Sequence, residues 1–216
     1  YGTLADELHI VVLVQNSKFK IQNFGNVFAY PTDSRSRWFY VPDAYRVAKR
    51  IIRNSKFKIQ NSLITAQDPF ESGLAGWLVA RKFRLPLQLQ IHTDFLSPYF
   101  QRESFLNRVR VLIAKLLLPH ATRIRAVSQR IKESLRDARF KIQDLSIDVL
   151  PIFVDAEKIR STPISVDLHK KYPQFDFIAL MASRLTKEKN IPLAIEVMRE
   201  VAQKYPRAGL IIVGDG

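Results

Sequence analysis

The fold is decided by two apolar runs near the end of the chain, Phe177–Ile–Ala–Leu–Met–Ala182 and Gly209–Leu–Ile–Ile–Val213. Each run has the length and composition of a buried strand. Between them, apolar residues recur at steps of three and four, as is typical of an amphipathic helix; these residues are Ala194, Val197, Met198, Val201, Ala202 and Tyr205. The pattern predicts a strand, a helix and a second strand parallel to the first.

The segment between the first strand and the helix is basic. It reads Ser183–Arg–Leu–Thr–Lys–Glu–Lys–Asn–Ile–Pro192, so Arg184 and Lys189 precede the helix, and Asn190 and Pro192 are typical of helix starts. Ligands of open α/β sheets bind beyond the carboxyl ends of the strands, and a helix amino terminus attracts anions. The combination predicts a phosphate or diphosphate site. A solvated basic turn is the alternative.

This turn, followed after a helix by Ile211–Ile–Val–Gly–Asp–Gly216, resembles the start of the carboxyl-terminal domain of family 4 retaining glycosyltransferases. Those enzymes have the GT-B fold, in which two Rossmann-like domains face each other across a cleft. The resemblance implies that Arg184 and Lys189 hold the diphosphate of a nucleotide-sugar donor. It also implies that Ser183, where the family usually has Gly, and Gly214 line the cleft.

A second stretch resembles the amino-terminal domain of the same enzymes. It reads Asp68–Pro–Phe–Glu–Ser–Gly73, then a predicted helix, then Leu85–Pro–Leu–Gln–Leu–Gln–Ile–His–Thr–Asp94. Leu87–Ile91 is predicted to be a strand, so His92 follows its carboxyl end, where the cleft is expected. The resemblance implies that His92 contacts the transferred sugar as the candidate catalytic residue and that Asp94 lines the cleft. Considered alone, a histidine here is more often structural or on the surface.

The remaining periodicity predicts further strands and helices. The strands are His9–Val14, an edge strand Val27–Tyr30, Ser62–Ala66 and Arg123–Val127; the helices are the end of one at Leu4–Leu8, then Asp43–Ile52, Glu71–Ala80, Glu103–Leu118 and Gln129–Leu135. Asp148–Val–Leu–Pro–Ile–Phe–Val–Asp155 resembles the linker of the family, with Ile152 and Phe153 in place of the usual Asn-Gly.

The expected fold class is therefore α/β of the GT-B type, with two Rossmann-like domains built on parallel sheets. Residues 1–155 are predicted to form the amino-terminal, acceptor-side domain, which lacks the first strand and glycine-rich turn of the family. Residues 156–216 are predicted to begin the nucleotide-sugar-binding domain, and the family's further donor contacts lie beyond residue 216. We expect a fragment of a longer protein, truncated at both ends and inactive on its own.

Composition limits the class of protein. The chain has no cysteine, which excludes disulfides and thiolate metal sites, and no apolar run approaches the length of about 18 residues that a membrane span needs. The formal charge of +14 suggests a polyanionic partner. We expect no nucleic acid, because the cations are scattered and no stacking motif accompanies them. The expected location is the cytoplasm of a bacterium, peripheral to the inner face of the cell membrane.

A short repeat interrupts the pattern. Asn16–Ser–Lys–Phe–Lys–Ile–Gln–Asn23 recurs identically as residues 54–61, and a shorter version occupies residues 139–144. The copies do not follow a period that would fill the chain. We interpret residues 16–23 and 54–61 as insertions into surface connections, where added length costs little free energy. A repeated basic and aromatic contact with nucleic acid is the alternative.

The function that the resemblance implies is transfer of a sugar, with retention of the anomeric configuration, from a nucleotide-sugar donor to a lipid-linked, glycan or small-molecule acceptor. No metal or cofactor is expected. A sugar-nucleotide epimerase of the same fold is an alternative, whereas a dinucleotide-dependent oxidoreductase lacks its Gly-x-Gly-x-x-Gly sequence here. The helix Glu103–Leu118 is expected to place one face in the core and a solvated basic face outward; contact with an anionic bilayer is the alternative.

Overall fold

The computed structural model of the protein describes residues 5–16, 20–54, 61–137 and 146–215. The chain divides into two compact units, Tyr1–Phe153 and Val154–Gly216, which we call unit 1 and unit 2. Both are built mainly from parallel strands and helices, and unit 1 also contains one antiparallel pair.

Unit 1 contains seven strands and five α-helices among the described residues. The strands are β1 (Leu8–Val12), β2 (Gln22–Phe24), β3 (Val27–Pro31), β4 (Ile64–Ala66), β5 (Leu87–Ile91), β6 (Arg123–Ala126) and β7 (Ile147–Val149); the helices are α1 (Tyr40–Asn54), α2 (Glu71–Phe83), α3 (Pro98–Glu103), α4 (Phe105–Leu117) and α5 (Gln129–Asp137). One sheet has the order β1-β3-β2, and the other is fully parallel with the order β4-β5-β6-β7.

The core of unit 1 lies on one face of the four-stranded sheet. Alternate residues of the strands, such as Leu89 and Ile124, are fully buried there against α2 and α4. At the start of α2, Glu71 accepts hydrogen bonds at 2.9 and 3.2 Å from Arg110 of α4. Both bonds come from Arg110 Nε, and Arg110 Nη2 also lies 2.9 Å from Glu71 Oε1. This ion pair fixes the start of α2 against α4, and the loop that precedes α2 is the one that follows β4.

The three-stranded sheet corrects two sequence predictions. Val27–Tyr30, predicted to be an edge strand, lies in the central strand β3, because β2 pairs antiparallel along its other side. The predicted helix end Leu4–Leu8 is wrong, since residues 5–7 are not helical and Leu8 begins β1. Gln22 and Asn23, the end of the first repeat copy, belong to exposed β2. Residues 17–19, 55–60 and 139–144 of the repeats lie outside the described residues.

The predicted helix Glu103–Leu118 corresponds to α4, which begins two residues later at Phe105. Glu103 instead ends α3, a helix that the periodicity does not predict, and Ser104 separates the two. This residue has extended backbone dihedrals (φ −157°, ψ 157°), and its Oγ accepts a hydrogen bond from the Asn107 backbone N–H at 3.1 Å, so it caps α4. Ser128 acts similarly for α5, accepting from the Ile131 N–H at 3.3 Å. Serine side chains thus cap the starts of both α4 and α5.

Unit 2 confirms the predicted strand, helix and parallel strand. Strands β8 (Phe177–Ala182) and β9 (Ala208–Val213) pair in parallel, and helix α8 (Ile191–Lys204) connects them; two short helices, α6 (Ala156–Ser161) and α7 (Leu168–Lys171), precede β8. The two-stranded sheet leaves large apolar side chains exposed, among them Phe177 at 64% and Leu180 at 58%.

Candidate functional site

His92 lies directly after β5, at the carboxyl end of the parallel sheet of unit 1, and its side chain is exposed. Its pKa is lowered from the ordinary 6.5, first by partial burial and second by the positive charge of Arg125, while the carboxylate of Asp68 acts in the opposite direction. The shift favours the neutral imidazole, which can donate through one ring nitrogen and accept through the other.

Asp68 belongs to the loop that follows β4, the neighbouring strand. Its Oδ1 accepts a hydrogen bond from the Phe70 N–H at 2.7 Å, and its own N–H donates to Ser72 Oγ at 3.2 Å. These bonds form a tight turn before α2. The first turn of α2 packs on this turn so closely that a Cβ at Gly73 would lie 2.7 Å from the Asp68 carbonyl oxygen.

Asp94, predicted to line the cleft, is bonded to a helix of its own unit. Its Oδ2 accepts hydrogen bonds from Arg130 Nε at 3.3 Å and Nη2 at 3.0 Å, and its Oδ1 accepts from Ser134 Oγ at 3.1 Å. Only 19% of the Asp94 side chain is exposed. The carboxylate thus ties the loop after β5 to α5, two residues beyond His92.

Arg125 is the residue of this region that sequence reasoning missed. It lies on β6, and its Nη1 donates to Oε1 of Gln90 at 2.8 Å, two residues before His92 on β5. Its positive charge also lowers the pKa of His92. The sequence signal is weak but present, since a buried parallel strand is expected to be continuously apolar, whereas β6 reads Arg–Ile–Arg–Ala.

In unit 2, Arg184 and Lys189 are brought together on one carboxylate. Arg184 Nη2 lies 3.2 Å from Glu188 Oε1, and Lys189 Nζ lies 3.8 Å from the same oxygen. The side chains of Arg184 and Lys189 are 72% and 44% exposed. Two cations and one exposed acceptor form a cluster that an incoming anion can enter by displacing Glu188, because exposed ion pairs are weak.

The cluster adjoins the amino terminus of α8. Asn190 has left-handed backbone dihedrals (φ 48°, ψ 48°), and no side chain caps the helix. Pro192 is in the first turn, as expected of a helix start. The helix of 14 residues points the positive end of its dipole at the cluster. Its first turn offers few free N–H groups, because Pro192 has none and the Leu193 N–H donates to the Asn190 carbonyl oxygen at 3.1 Å.

Ser183 and Gly214 meet at the carboxyl ends of β8 and β9. The Ser183 N–H donates to the Val213 carbonyl oxygen at 3.0 Å, and the Leu185 N–H donates to the Asp215 carbonyl oxygen at 2.8 Å. A Cβ at Gly214, whose φ is +156°, would lie 1.8 Å from the Ser183 carbonyl oxygen. Only glycine fits here, so the turns after β8 and β9 are in direct backbone contact.

Two surface cavities lie away from these residues. One, of about 510 Å³, is lined by residues that include Phe177, Tyr205 and Arg207; the other, of about 640 Å³, is lined by residues that include Trp77 and His120. In the part of the chain that the structure describes, no group of three acidic, histidine or cysteine side chains is arranged to hold a metal ion, and no helix is long and apolar enough to cross a membrane.

Comparison with solved structures agrees with the α/β architecture. Anabaena HepE in complex with UDP-glucose superposes with a TM-score of 0.56 over 88% of this chain and 47% of that chain, at 20% identity. Staphylococcus aureus MnaA in complex with UDP superposes with a TM-score of 0.55 over 96% of this chain and 61% of that chain, at 12% identity. At these identities the likeness shows the fold, and the expected α/β class of the GT-B type is confirmed.

Two curated relatives are similar to part of this chain. The chain is 24% identical over 162 residues to alpha-monoglucosyldiacylglycerol synthase of Acholeplasma laidlawii, spanning 68% of this chain and 40% of the relative. It is 26% identical over 118 residues to an uncharacterised glycosyltransferase of Methanocaldococcus jannaschii, spanning 53% of this chain and 29% of the relative. This chain thus spans well under half the length of either relative.

The family model described as glycosyltransferase family 4 matches residues 4–158, which is most of the chain and nearly the whole of unit 1. The matched range includes the turn at Asp68, the strand end at His92 and the loop at Asp94. The chain belongs to glycosyltransferase family 4.

Proposed function

We propose that this chain serves the transfer of a sugar from a nucleotide-sugar donor to an acceptor, with retention of the anomeric configuration and without a metal ion. The observation that supports the donor assignment most directly is the cluster at the start of α8, where Arg184 and Lys189 converge on Glu188 Oε1. Two cations beside a helix amino terminus suit a diphosphate, which carries its charge on several oxygens and develops more charge as it leaves.

His92 is proposed to contact the transferred sugar. A neutral imidazole at the carboxyl end of a parallel strand can hydrogen-bond a sugar hydroxyl without carrying a charge into the site. The lowered pKa of His92 favours this neutral form. Ser183 and Gly214 are proposed to line the donor side, where the turns after β8 and β9 touch.

The structural neighbours were solved with UDP and with UDP-glucose. They support a nucleoside diphosphate as the common ligand class, and a uridine nucleotide is the first one to test. A sugar-nucleotide epimerase with this fold would use the same ligand class. The two functions differ in product, because an epimerase inverts a carbon of the sugar that stays on the nucleotide, whereas a transferase releases the nucleotide.

We further propose that the acceptor is a lipid or lies at a membrane surface. The name of the Acholeplasma laidlawii relative denotes a glucosylated diacylglycerol. Helices α3 and α4 also expose large apolar side chains beside basic ones: Tyr99 is 84%, Phe105 77% and Leu112 66% exposed, with Arg108 and Lys115 exposed on the same helices. Such a surface suits an anionic bilayer.

Calorimetric titration of the chain with UDP and with GDP tests the donor site. Arg184→Ala and Lys189→Ala are each expected to weaken nucleotide binding by about tenfold or more, the value of one charge-assisted hydrogen bond. Arg199→Ala is the control, because it removes an exposed positive charge from the middle of α8. Equal affinity in all four proteins would overturn the assignment, and binding of NAD in place of UDP or GDP would favour an oxidoreductase.

A further inference from the structure

Arg125 lies on the face of the four-stranded sheet opposite the apolar core. Side chains alternate along β6, so Ile124 and Ala126 are fully buried in the core, whereas Arg125 projects from the other face. Neither the diphosphate cluster nor the proposed sugar contact uses this side chain. An arginine in a parallel strand needs its own explanation, because such strands are normally apolar.

The guanidinium of Arg125 donates three hydrogen bonds in three directions. Nη1 donates to Gln90 Oε1 at 2.8 Å. Nε donates to the Leu150 carbonyl oxygen at 3.1 Å, and Nη2 donates to the Pro151 carbonyl oxygen at 3.2 Å. Two of the three bonds therefore hold the backbone of one segment, the pair of residues that follows β7.

The remaining bond, from Arg125 Nη1 to Gln90 Oε1, fixes the orientation of the guanidinium. Gln90 is on β5 and only 5% exposed, and its Nε2 donates to Thr65 Oγ1 of β4 at 3.0 Å. Thr65 Oγ1 in turn donates to Gln88 Oε1 at 3.2 Å. A line of polar side chains thus crosses three neighbouring strands and orients the arginine, as connected networks do when each member has a partner.

Leu150 and Pro151 form the segment through which the chain leaves unit 1. The Leu150 N–H donates to the Ala126 carbonyl oxygen at 3.0 Å, which extends the ladder between β6 and β7 by one residue. The backbone at this point is consequently held twice from β6, by the main chain of Ala126 and by the side chain of Arg125.

The charge of Arg125 also reaches His92 at the end of β5. The groups that act on His92 come from both neighbouring strands, with Asp68 after β4 and Arg125 on β6, and Arg125 lowers the pKa of the imidazole. The ion pair of Asp94 and Arg130 joins the loop beyond His92 to α5. Arg125 is therefore a single side chain that touches the exit segment and acts on the candidate catalytic histidine.

We propose that Arg125 is a positioning residue that ties the backbone at Leu150 and Pro151, where the chain leaves unit 1, to the strand end that carries His92. A guanidinium is required rather than any cation, because a planar fork can hold two adjacent carbonyl groups and an amide oxygen at once. The consequence for catalysis rests on the proposed role of His92. The link between the Leu150–Pro151 backbone and the end of β5 does not depend on that role, because it is made by the hydrogen bonds of Arg125.

Nuclear magnetic resonance of the chain without nucleotide separates the two effects. Arg125→Gln removes the charge and the fork, whereas Arg125→Lys keeps the charge and loses the fork. In both variants the Leu150 amide is expected to exchange with solvent about tenfold faster, as the loss of one or two directed bonds implies. The titration midpoint of His92 is expected to rise in Arg125→Gln and to stay near that of the original protein in Arg125→Lys.

Arg123→Gln is the matched control, because Arg123 lies two residues earlier on the same face of β6 and pairs with Asp148 at 3.6 Å. Unchanged exchange of the Leu150 amide in Arg125→Gln and Arg125→Lys would overturn the proposal, and so would a His92 midpoint that responds equally to Arg123→Gln and Arg125→Gln. If Arg125→Gln fails to fold, the exchange in Arg125→Lys decides. Donor binding enters neither measurement, so this test can fail while the proposed function stands.

Discussion

Asp94 and Arg130 are joined by two hydrogen bonds, at 3.0 and 3.3 Å, across 36 residues of sequence. Those bonds go to Oδ2 of Asp94, and the other carboxylate oxygen, Oδ1, accepts a hydrogen bond from Ser134 Oγ at 3.1 Å. Both oxygens of Asp94 therefore contact α5. This arrangement assigns Asp94 a supporting task that its place in the sequence does not reveal. Asp94 anchors the loop after His92, because both of its carboxylate oxygens accept hydrogen bonds from α5 of the same unit.

Asp94→Asn is therefore expected to lower the free energy of unfolding by about 1 kcal/mol, because the charge-assisted bonds to Arg130 become neutral ones. Arg130→Ala is expected to cost less, about 0.5 kcal/mol, since the arginine is largely exposed and Ser134 remains bonded. Urea unfolding of both variants measures the difference. An unchanged free energy of unfolding in Asp94→Asn would show that the contact between Asp94 and α5 does not stabilise the fold.

Gly73 and Gly76 offer a matched pair on α2. A methyl group at Gly73 would lie 2.7 Å from the Asp68 carbonyl oxygen and 3.2 Å from Leu117 Cδ1, whereas at Gly76 the nearest atom would be Ile64 Cγ2 at 3.3 Å. Gly73→Ala is expected to destabilise the fold by about 1–3 kcal/mol, because a backbone atom cannot move as a side chain does. It should also disturb the turn at Asp68.

Gly76→Ala is the matched substitution, because the nearest atom to its added methyl group belongs to a side chain. Alanine gains about 0.5–1 kcal/mol of helix propensity over glycine, which offsets the small movement required of Ile64. The expected change in stability is within about 1 kcal/mol of zero by the same principle. Thermal unfolding of the two variants side by side compares them, and equal losses would contradict the packing of Gly73 on Asp68.

The sequence predicts those parts of the fold in which a local pattern and the tertiary structure agree. Strands β8 and β9 are apolar runs, β5 alternates apolar residues with glutamine, and α8 has a clear helical period, so their positions follow from the residues alone. Val27–Tyr30 is not the predicted edge strand because β2 (Gln22–Phe24), whose first two residues end the repeat, pairs beside it. Arg125 and Arg130 were missed because their partners lie 25 to 36 residues away, and no local pattern encodes such contacts.

The titration of His92 is expected to respond to Asp68. The pKa of His92 lies below the ordinary 6.5, and the Asp68 carboxylate raises it. Asp68→Asn removes that charge while keeping an oxygen that can accept from Phe70, so the midpoint of His92 is expected to fall further. Proton resonances of the imidazole across a pH series measure it. A rise in the midpoint would contradict the assigned neighbourhood.

The same shift makes the stability of unit 1 depend on pH. Since the folded histidine binds a proton less readily than the unfolded one, the unfolded state takes up more protons as the pH falls below 6.5. The contribution of His92 to stability is therefore intact above this pH and is lost between it and the lower folded pKa. His92→Gln is expected to flatten this part of the profile of unfolding free energy against pH.

Glu188 is expected to compete with an anionic ligand for Arg184 and Lys189, because it occupies both cations through a single oxygen. Glu188→Gln removes that negative charge and should tighten binding of pyrophosphate by a few fold, in line with the small value of exposed ion pairs. Glu196→Gln, an exposed change of the same type on α8, is the control. Weaker binding in Glu188→Gln would show that the carboxylate supports the site.

The outward side of α4 is expected to bind anionic membranes. Leu112 and Leu116 are 66% and 58% exposed, and Arg108 and Lys115 accompany them at helical spacing, so apolar insertion and charge attraction act together. Replacing both leucines by glutamine keeps helix propensity and removes the apolar surface. Binding to vesicles that contain phosphatidylglycerol is expected to fall by about tenfold or more, as the loss of two buried leucines implies.

The matched control replaces Leu193 and Ile195 by glutamine, because these side chains are 51% and 55% exposed on α8 in unit 2. If vesicle binding depends on the apolar side chains of α4 specifically, the Leu193 and Ile195 double variant should bind vesicles as strongly as the original protein does. Vesicles of phosphatidylcholine alone, and added salt, should weaken binding in every protein, since the basic residues then lose their partner. An equal loss of vesicle binding in the two double variants would instead mean that any exposed apolar surface of the protein binds bilayers. Helix α4 would then have no special role.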